Sequence, residues 1–145
     1  MIEPATGQLH LPTDGLPIGP SLTREQFLAS PLGGQFLELV RNEPHCSFAL
    51  PPFQFGDHSF ACSLWFHGSA LRRVSIQCAD AEFGWSAKSE LARKLFHDSW
   101  LVSVLGQNWN QHFSWGTIDS VYHSQTHKFS SIRVTYAAQP NADAP

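Results

Sequence analysis

Apolar and polar residues alternate with a period of two through the middle and the end of the chain, and segments of helical period interrupt the alternation. Three strands are predicted over Cys46 to Phe55, Ser59 to His67 and Leu71 to Cys78, separated by Gly56-Asp57 and Gly68-Ser69. Three more are predicted over His112 to Trp115, Ile118 to His123 and Phe129 to Ala137. Before the first set, Thr23 with Gln26 three residues on makes a capping box, and Leu22 and Phe27 stand where a hydrophobic staple places them. Pro31 and Gly33-Gly34 end that helix, and Gln35 to Arg41 reads as a short helix with Phe36, Leu39 and Val40 on one side. A longer helix runs from about Ser89 to Leu105, stopped by Gly106, with Leu91, Leu95, Val102 and Leu105 as its apolar stripe. At the start, Gln8 to Leu11 and Leu16 to Ile18 flank the turn residues Pro12 to Gly15, which suggests a short hairpin.

The order of elements repeats, and so do some residues. Phe27 to Gly33 answers Trp100 to Gly106 at one constant offset, with Leu, Ser, Leu and Gly identical, and Arg73-Val74-Ser75 answers Arg133-Val134-Thr135. The expected fold is therefore α+β: two tandem repeats, about 21–80 and 86–137, each a helix followed by a three-stranded antiparallel meander, with the helices on one face of the sheet. Residues 1–137 would form one domain and 138–145 a disordered tail.

A duplicated helix-plus-meander resembles the β-lactamase inhibitor protein family, over about Thr23 to Ala137. The resemblance implies a sheet face that grips a target enzyme. The chain departs from that family in its unpaired cysteines, in lacking a signal peptide and in having three strands per repeat, and no binding residue carries over. The run from Lys94 to Leu101 and on through Ser114 to Tyr122 also resembles an uncharacterised group of small bacterial proteins, which brings no function with it.

Register decides which residues face outward. A two-residue loop at Gly68 would set Leu64 against Arg73. A three-residue loop, Gly68-Ser69-Ala70, pairs Leu64 with Val74, Cys62 with Ile76 and Phe60 with Cys78, giving one uniformly apolar face as a sheet under helices requires. The other face then carries Trp65 directly across from Arg73, with His67 beyond. In the second set, a loop from Ser124 to Lys128 leaves Asp119, Val121, His123, Arg133 and Thr135 outward, with Asp119 opposite Arg133. The candidate protein-binding residues are Trp65, His67, Arg73, Asp119, His123 and Arg133. The plainer alternative is an ordinary solvated sheet face with a Trp lid and ion pairs.

Composition narrows the function. The chain has 145 residues, only 14% of them charged, with eleven Phe and five Trp; aromatics in excess of a core's needs suit a binding surface. A net charge of -3 with scattered basic residues gives no nucleic-acid stripe. No segment reaches the roughly 20 apolar residues of a membrane span, and the first residues lack the pattern of a signal peptide, so a cytoplasmic location is expected. Cys46, Cys62 and Cys78 fall in apolar strands and read as buried reduced thiols. His123 and His127 flank a turn with no cysteine or acidic ligand beside them, so neither a metal nor another cofactor is expected. Asp98 sits within the apparent apolar stripe beside His97, where a structural hydrogen bond competes with an acid/base role. Phosphate-cradling loops, nucleophile elbows and Cys-x-x-Cys pairs are absent. The reading is a non-enzymatic binder of another protein, an inhibitor or immunity-type protein that blocks a toxin through its sheet face. A secretion chaperone for a bacterial effector, and a small enzyme using Asp98 with His97 or a cysteine, are the alternatives.

Overall fold

The computed structural model describes residues 1–12, 16–31, 37–84, 86–106, 110–123 and 129–138. Its centre is an eight-stranded antiparallel sheet: β1 (Leu37–Asn42), β2 (His45–Ala49), β3 (Phe53–Phe55), β4 (His58–His67), β5 (Ala70–Cys78), β6 (Gln111–Phe113), β7 (Gly116–His123) and β8 (Phe129–Tyr136). The order across the sheet is β1-β2-β4-β5-β8-β7-β6, with β3 also paired to β4. Helices α1 (Arg24–Ala29) and α2 (Ala87–Leu105) precede the two groups of strands.

This overturns the tandem-repeat architecture. Five strands follow α1 and three follow α2, and the helices span 6 and 19 residues. Strands β5 and β8 pair through Arg73–Ile76 and Ile132–Thr135, so the two groups merge into one continuous sheet. Phe27 lies against Phe48 and Phe66, whereas Trp100 lies against Phe55 and Phe60. The likeness between these Leu-, Ser- and Gly-containing segments is local and does not extend to their packing. The resemblance to the β-lactamase inhibitor family loses the architecture on which it rested.

Two local predictions also fail, for identifiable reasons. The segment read as a helix through Arg41 is strand β1, whose residues 37–42 pair with β2. A register shift between Glu38 and Val40 breaks the two-residue alternation and leaves a spacing that mimics a helix. Gln35 and Phe36 lie outside the described residues. The run from Cys46 to Phe55 is two strands, because Pro51 and Pro52 cannot donate to a ladder. Both pieces pair with the ten-residue β4, His45–Ala49 against Ser63–His67 and Phe53–Phe55 against His58–Phe60.

The caps behave as local chemistry demands. Gln26 N–H donates to Thr23 Oγ1 (3.1 Å) while Thr23 N–H donates to Gln26 Oε1 (3.0 Å), and Leu22 and Phe27 are buried. Gly106 ends α2 in the left-handed region at φ 72°. Leu9 and Ile18 form an antiparallel bridge, consistent with the opening hairpin, whose turn residues 13–15 lie outside the described set. Tyr136 donates to Gly7 O (2.7 Å) and Trp115 Nε1 to Pro4 O (2.8 Å), which ties the N-terminal segment to the far side of the sheet. Most of the tail lies outside the described residues.

Of the stripe assigned to α2, Leu105 packs against the core and the other three residues face outward. Leu91, Leu95 and Val102 are 50%, 68% and 43% exposed, while Glu90, Arg93, His97, Trp100 and Leu101 are buried. The polar members of that inner stripe complete the sheet where β5 and β8 part. Arg93 Nε donates to Cys78 O (2.9 Å) and Cys78 N–H donates to His97 Nε2 (2.9 Å). Glu90 Oε2 accepts from Ser130 N–H (2.8 Å), and Glu90 and Arg93 pair as buried charges. Backbone groups that a neighbouring strand would satisfy are satisfied by a helix instead.

Candidate protein-binding face

Along β4, Phe60, Cys62, Leu64 and Phe66 are buried under the helices and the intervening residues point the other way. The predicted register holds: Leu64 pairs with Val74, Cys62 with Ile76, Phe60 with Cys78, and Trp65 with Arg73. The means differs from the prediction. The turn has only two residues, Gly68 (φ 59°) and Ser69, with His67 paired to Ala70. A bulge between Trp65 and Phe66 then absorbs Arg72 and restores the apolar face.

Four of the six predicted residues meet at the middle of the uncovered face. The Arg73 guanidinium carbon sits 4.9 Å from the Trp65 ring centre. Arg133 pairs with Ser75 on β5 and Asp119 on β7, one step diagonally from Arg73. Arg133 Nη2 donates to His123 Nε2 (2.9 Å), so the imidazole is neutral with its proton on Nδ1, and its ring stacks on Phe129 at 4.3 Å. Burial and the two arginines hold the His123 pKa below its ordinary value. Burial, and then Arg133, lower that of Arg73. Among the described residues, neither arginine has a carboxylate within ion-pairing distance.

Two hollows flank this centre, of about 470 and 420 Å³, and both are walled by Trp65, Arg73 and Arg133. The first adds His45, His67 and Arg72, and His45 lies 5.1 Å from His67 across the strands. The second adds His123, Phe129 and Gln77. His67 therefore belongs to the rim. Asp119 lies opposite Arg133 in register but lines neither hollow, and Thr117 Oγ1 donates to its carboxylate at 3.4 Å. His45, Arg72 and Phe129 were missed, since each depends on a strand pairing or a bulge that local pattern does not reveal.

The residues weighed for catalysis do not converge. Asp98 accepts a hydrogen bond from Lys94 Nζ one helical turn away, while His97 points into the core. Burial, followed by the charge of Arg93, pushes the His97 pKa down to about 4. All three cysteines are free and buried, and burial raises the Cys62 thiol to about 12. His127 lies outside the described residues. A separate group of metal-ligand types, His58, Cys78 and Asp80, gathers on the opposite side of the sheet.

No family model matches the chain, and no curated protein matches it. Among solved structures it is similar to a chain of the complex titled "Rhs1-CT in complex with cognate immunity protein RhsI1", with a TM-score of 0.57 and 13% identity. The fold is shared with that chain. The likeness covers 93% of this chain and 85% of that one. At this identity it speaks for the fold alone. No helix among the described residues is long and apolar enough to cross a membrane.

Proposed function

We propose that this protein is a cytoplasmic immunity-type module that binds and blocks a toxin protein through the uncovered face of its sheet. The observation that carries the reading is the pair Arg73 and Arg133, held half-buried beside Trp65 with no carboxylate partner among the described residues. Burial, and then the neighbouring Arg133, disfavour the charged form of Arg73 and lower its pKa. A carboxylate brought in by a partner offsets that penalty and can accept bidentate bonds from a guanidinium. Trp and Arg are the side chains that most often anchor protein interfaces. The shared fold with a chain from an immunity-protein complex supports the same reading.

The charge of this face differs in sign from that of the whole chain, which is -3. Arg73 and Arg133 share this face with Asp119 as the carboxylate placed opposite Arg133 among the described residues, so the partner surface that fits is acidic. The test takes any toxin gene found beside the gene for this chain and measures binding of its product to the purified chain. Trp65→Ala, Arg73→Ala and Arg133→Ala should each leave unfolding stability within about 1 kcal/mol. Each should weaken binding by about 2 kcal/mol or more, roughly thirtyfold in Kd. Full affinity in all three variants would place the interface elsewhere.

A further inference from the structure

The binding face leaves one cluster of reactive side chains unused. It lies at the end of the β4–β5 hairpin away from Gly68, on the helix-covered side of the sheet. His58 stands two residues before Phe60 on β4, and Phe60 pairs with Cys78, so strand parity puts His58 and Cys78 on one face. Asp80 follows Cys78 by two residues and turns back toward β4. Its Oδ1 accepts from Ser59 N–H at 2.7 Å, and its Oδ2 lies 2.7 Å from His58 Nδ1. One donor atom of each of the three residues falls within 4.8 Å of the other two.

We propose that His58 Nδ1, Cys78 Sγ and the Asp80 carboxylate form a site for a divalent cation of the zinc class, with water as the fourth ligand. The donor set selects the metal. One nitrogen, one sulfur and one oxygen suit Zn²⁺, whereas Mg²⁺ and Ca²⁺ demand oxygen alone. Tetrahedral bonds of about 2.0–2.3 Å hold ligand atoms roughly 3.3–3.8 Å apart, so His58 Nδ1 and Asp80 Oδ2 give up their hydrogen bond and separate by roughly 1 Å to admit the ion. Charge balances as well: a thiolate and a carboxylate against a dication. Binding releases the Cys78 thiol proton, and the His58 proton that bridges Nδ1 to Asp80 Oδ2 moves to Nε2 as Nδ1 turns its lone pair to the ion.

The surroundings orient these donors as ligands require. Ser59 N–H fixes one carboxylate oxygen of Asp80, and the other is held against His58 Nδ1, so the two donor atoms already face each other. The His58 ring meets Phe96 of α2 edge-on at 4.7 Å, with Phe83 5.7 Å beyond Phe96. Cys78 is buried at the bottom while His58 is 36% exposed in its side chain, which gives an ion a route in from solvent. A bound metal would fasten the start of β4 to the segment that leads from β5 into α2.

The test uses the full chain, reduced and stripped with chelator. Stoichiometric Co²⁺ should produce the thiolate-to-cobalt charge-transfer band and the visible bands of a four-coordinate ion. Zn²⁺ at about a hundredfold excess over its Kd should raise Tm by roughly 5 °C or more. Cys78→Ser should abolish the charge-transfer band, and His58→Gln and Asp80→Asn should each weaken Zn²⁺ binding about tenfold or more. Cys46 and Cys62 serve as internal controls, because a band that survives in Cys78→Ser comes from one of them and overturns the site. Undiminished binding in both His58→Gln and Asp80→Asn overturns it too. So does the absence of both the band and the Tm shift in the wild-type chain. Circular dichroism establishes that each variant is folded, and Asp80→Asn keeps an acceptor for Ser59 N–H should Cys78→Ser fail to fold.

Discussion

The two sides of α2 differ in the opposite sense from an ordinary surface helix. Its inner side carries Glu90, Arg93 and His97 among Trp100 and Leu101, and its outer side carries Leu91, Leu95 and Val102. An amphipathic helix normally turns its apolar stripe inward because burying each such side chain yields roughly 1.5–3 kcal/mol. Here the inner polar groups meet backbone atoms that would otherwise be buried without partners: Cys78 N–H and O, and Ser130 N–H. Leaving those three groups unsatisfied would cost about 1–3 kcal/mol each, comparable to what the partly exposed Leu91, Leu95 and Val102 forgo. A gap in a sheet can therefore dictate which side of a helix faces in.

The largest effect should come from breaking the buried charge pair. Glu90→Ala removes the buried carboxylate that pairs with Arg93 and accepts from Ser130 N–H, and should cost about 3–5 kcal/mol in urea unfolding. A loss below about 1 kcal/mol would mean that the inner side is not what holds α2 in place. Leu101→Ala, at a fully buried apolar position on the same side, should cost roughly 2–5 kcal/mol.

A somewhat smaller effect comes from pH. In the folded protein His97 stays neutral down to about pH 4, whereas in the unfolded chain it titrates near 6.5. Above pH 6.5 neither state carries the extra proton and the stability is fully present. As pH falls from 6.5 toward 4 the unfolded chain takes up a proton that the folded one refuses, so stability is lost, by on the order of 3 kcal/mol at the low end. His97→Gln keeps an acceptor for Cys78 N–H but cannot titrate. Its stability should fall less over that window, and identical pH profiles for the two proteins would remove His97 from the account. The smallest effect belongs to the outer side, where Leu95→Gln should change stability by no more than about 0.5 kcal/mol. A loss of 2 kcal/mol there would show that the leucine stripe is packed in solution.

Short-range chemistry was legible in the sequence. The Thr23–Gln26 box, the Gly106 stop and most strands are where local pattern puts them, since caps and alternation involve residues a few positions apart. The pairing of Trp65 with Arg73 was also legible. A one-residue slip would have sent Leu64 and Val74 to solvent, so the apolar set fixed the register even though the turn itself was misjudged. This is why the arginine pair and Trp65 could be named from sequence, while His45 and Phe129 could not.

What the sequence by itself determined is thus the elements held by near neighbours and the two faces of the central hairpin. Tertiary structure alone decided that β8 joins β5 and merges two apparent repeats into one sheet. It decided that residues 37–42 extend along β2, that Glu90, Arg93 and His97 turn inward, and that His58, Cys78 and Asp80 meet. The physical reason is common to all four. Each depends on where an unsatisfied backbone or polar group finds its partner across the sheet, and hydrophobic periodicity carries no record of that partner.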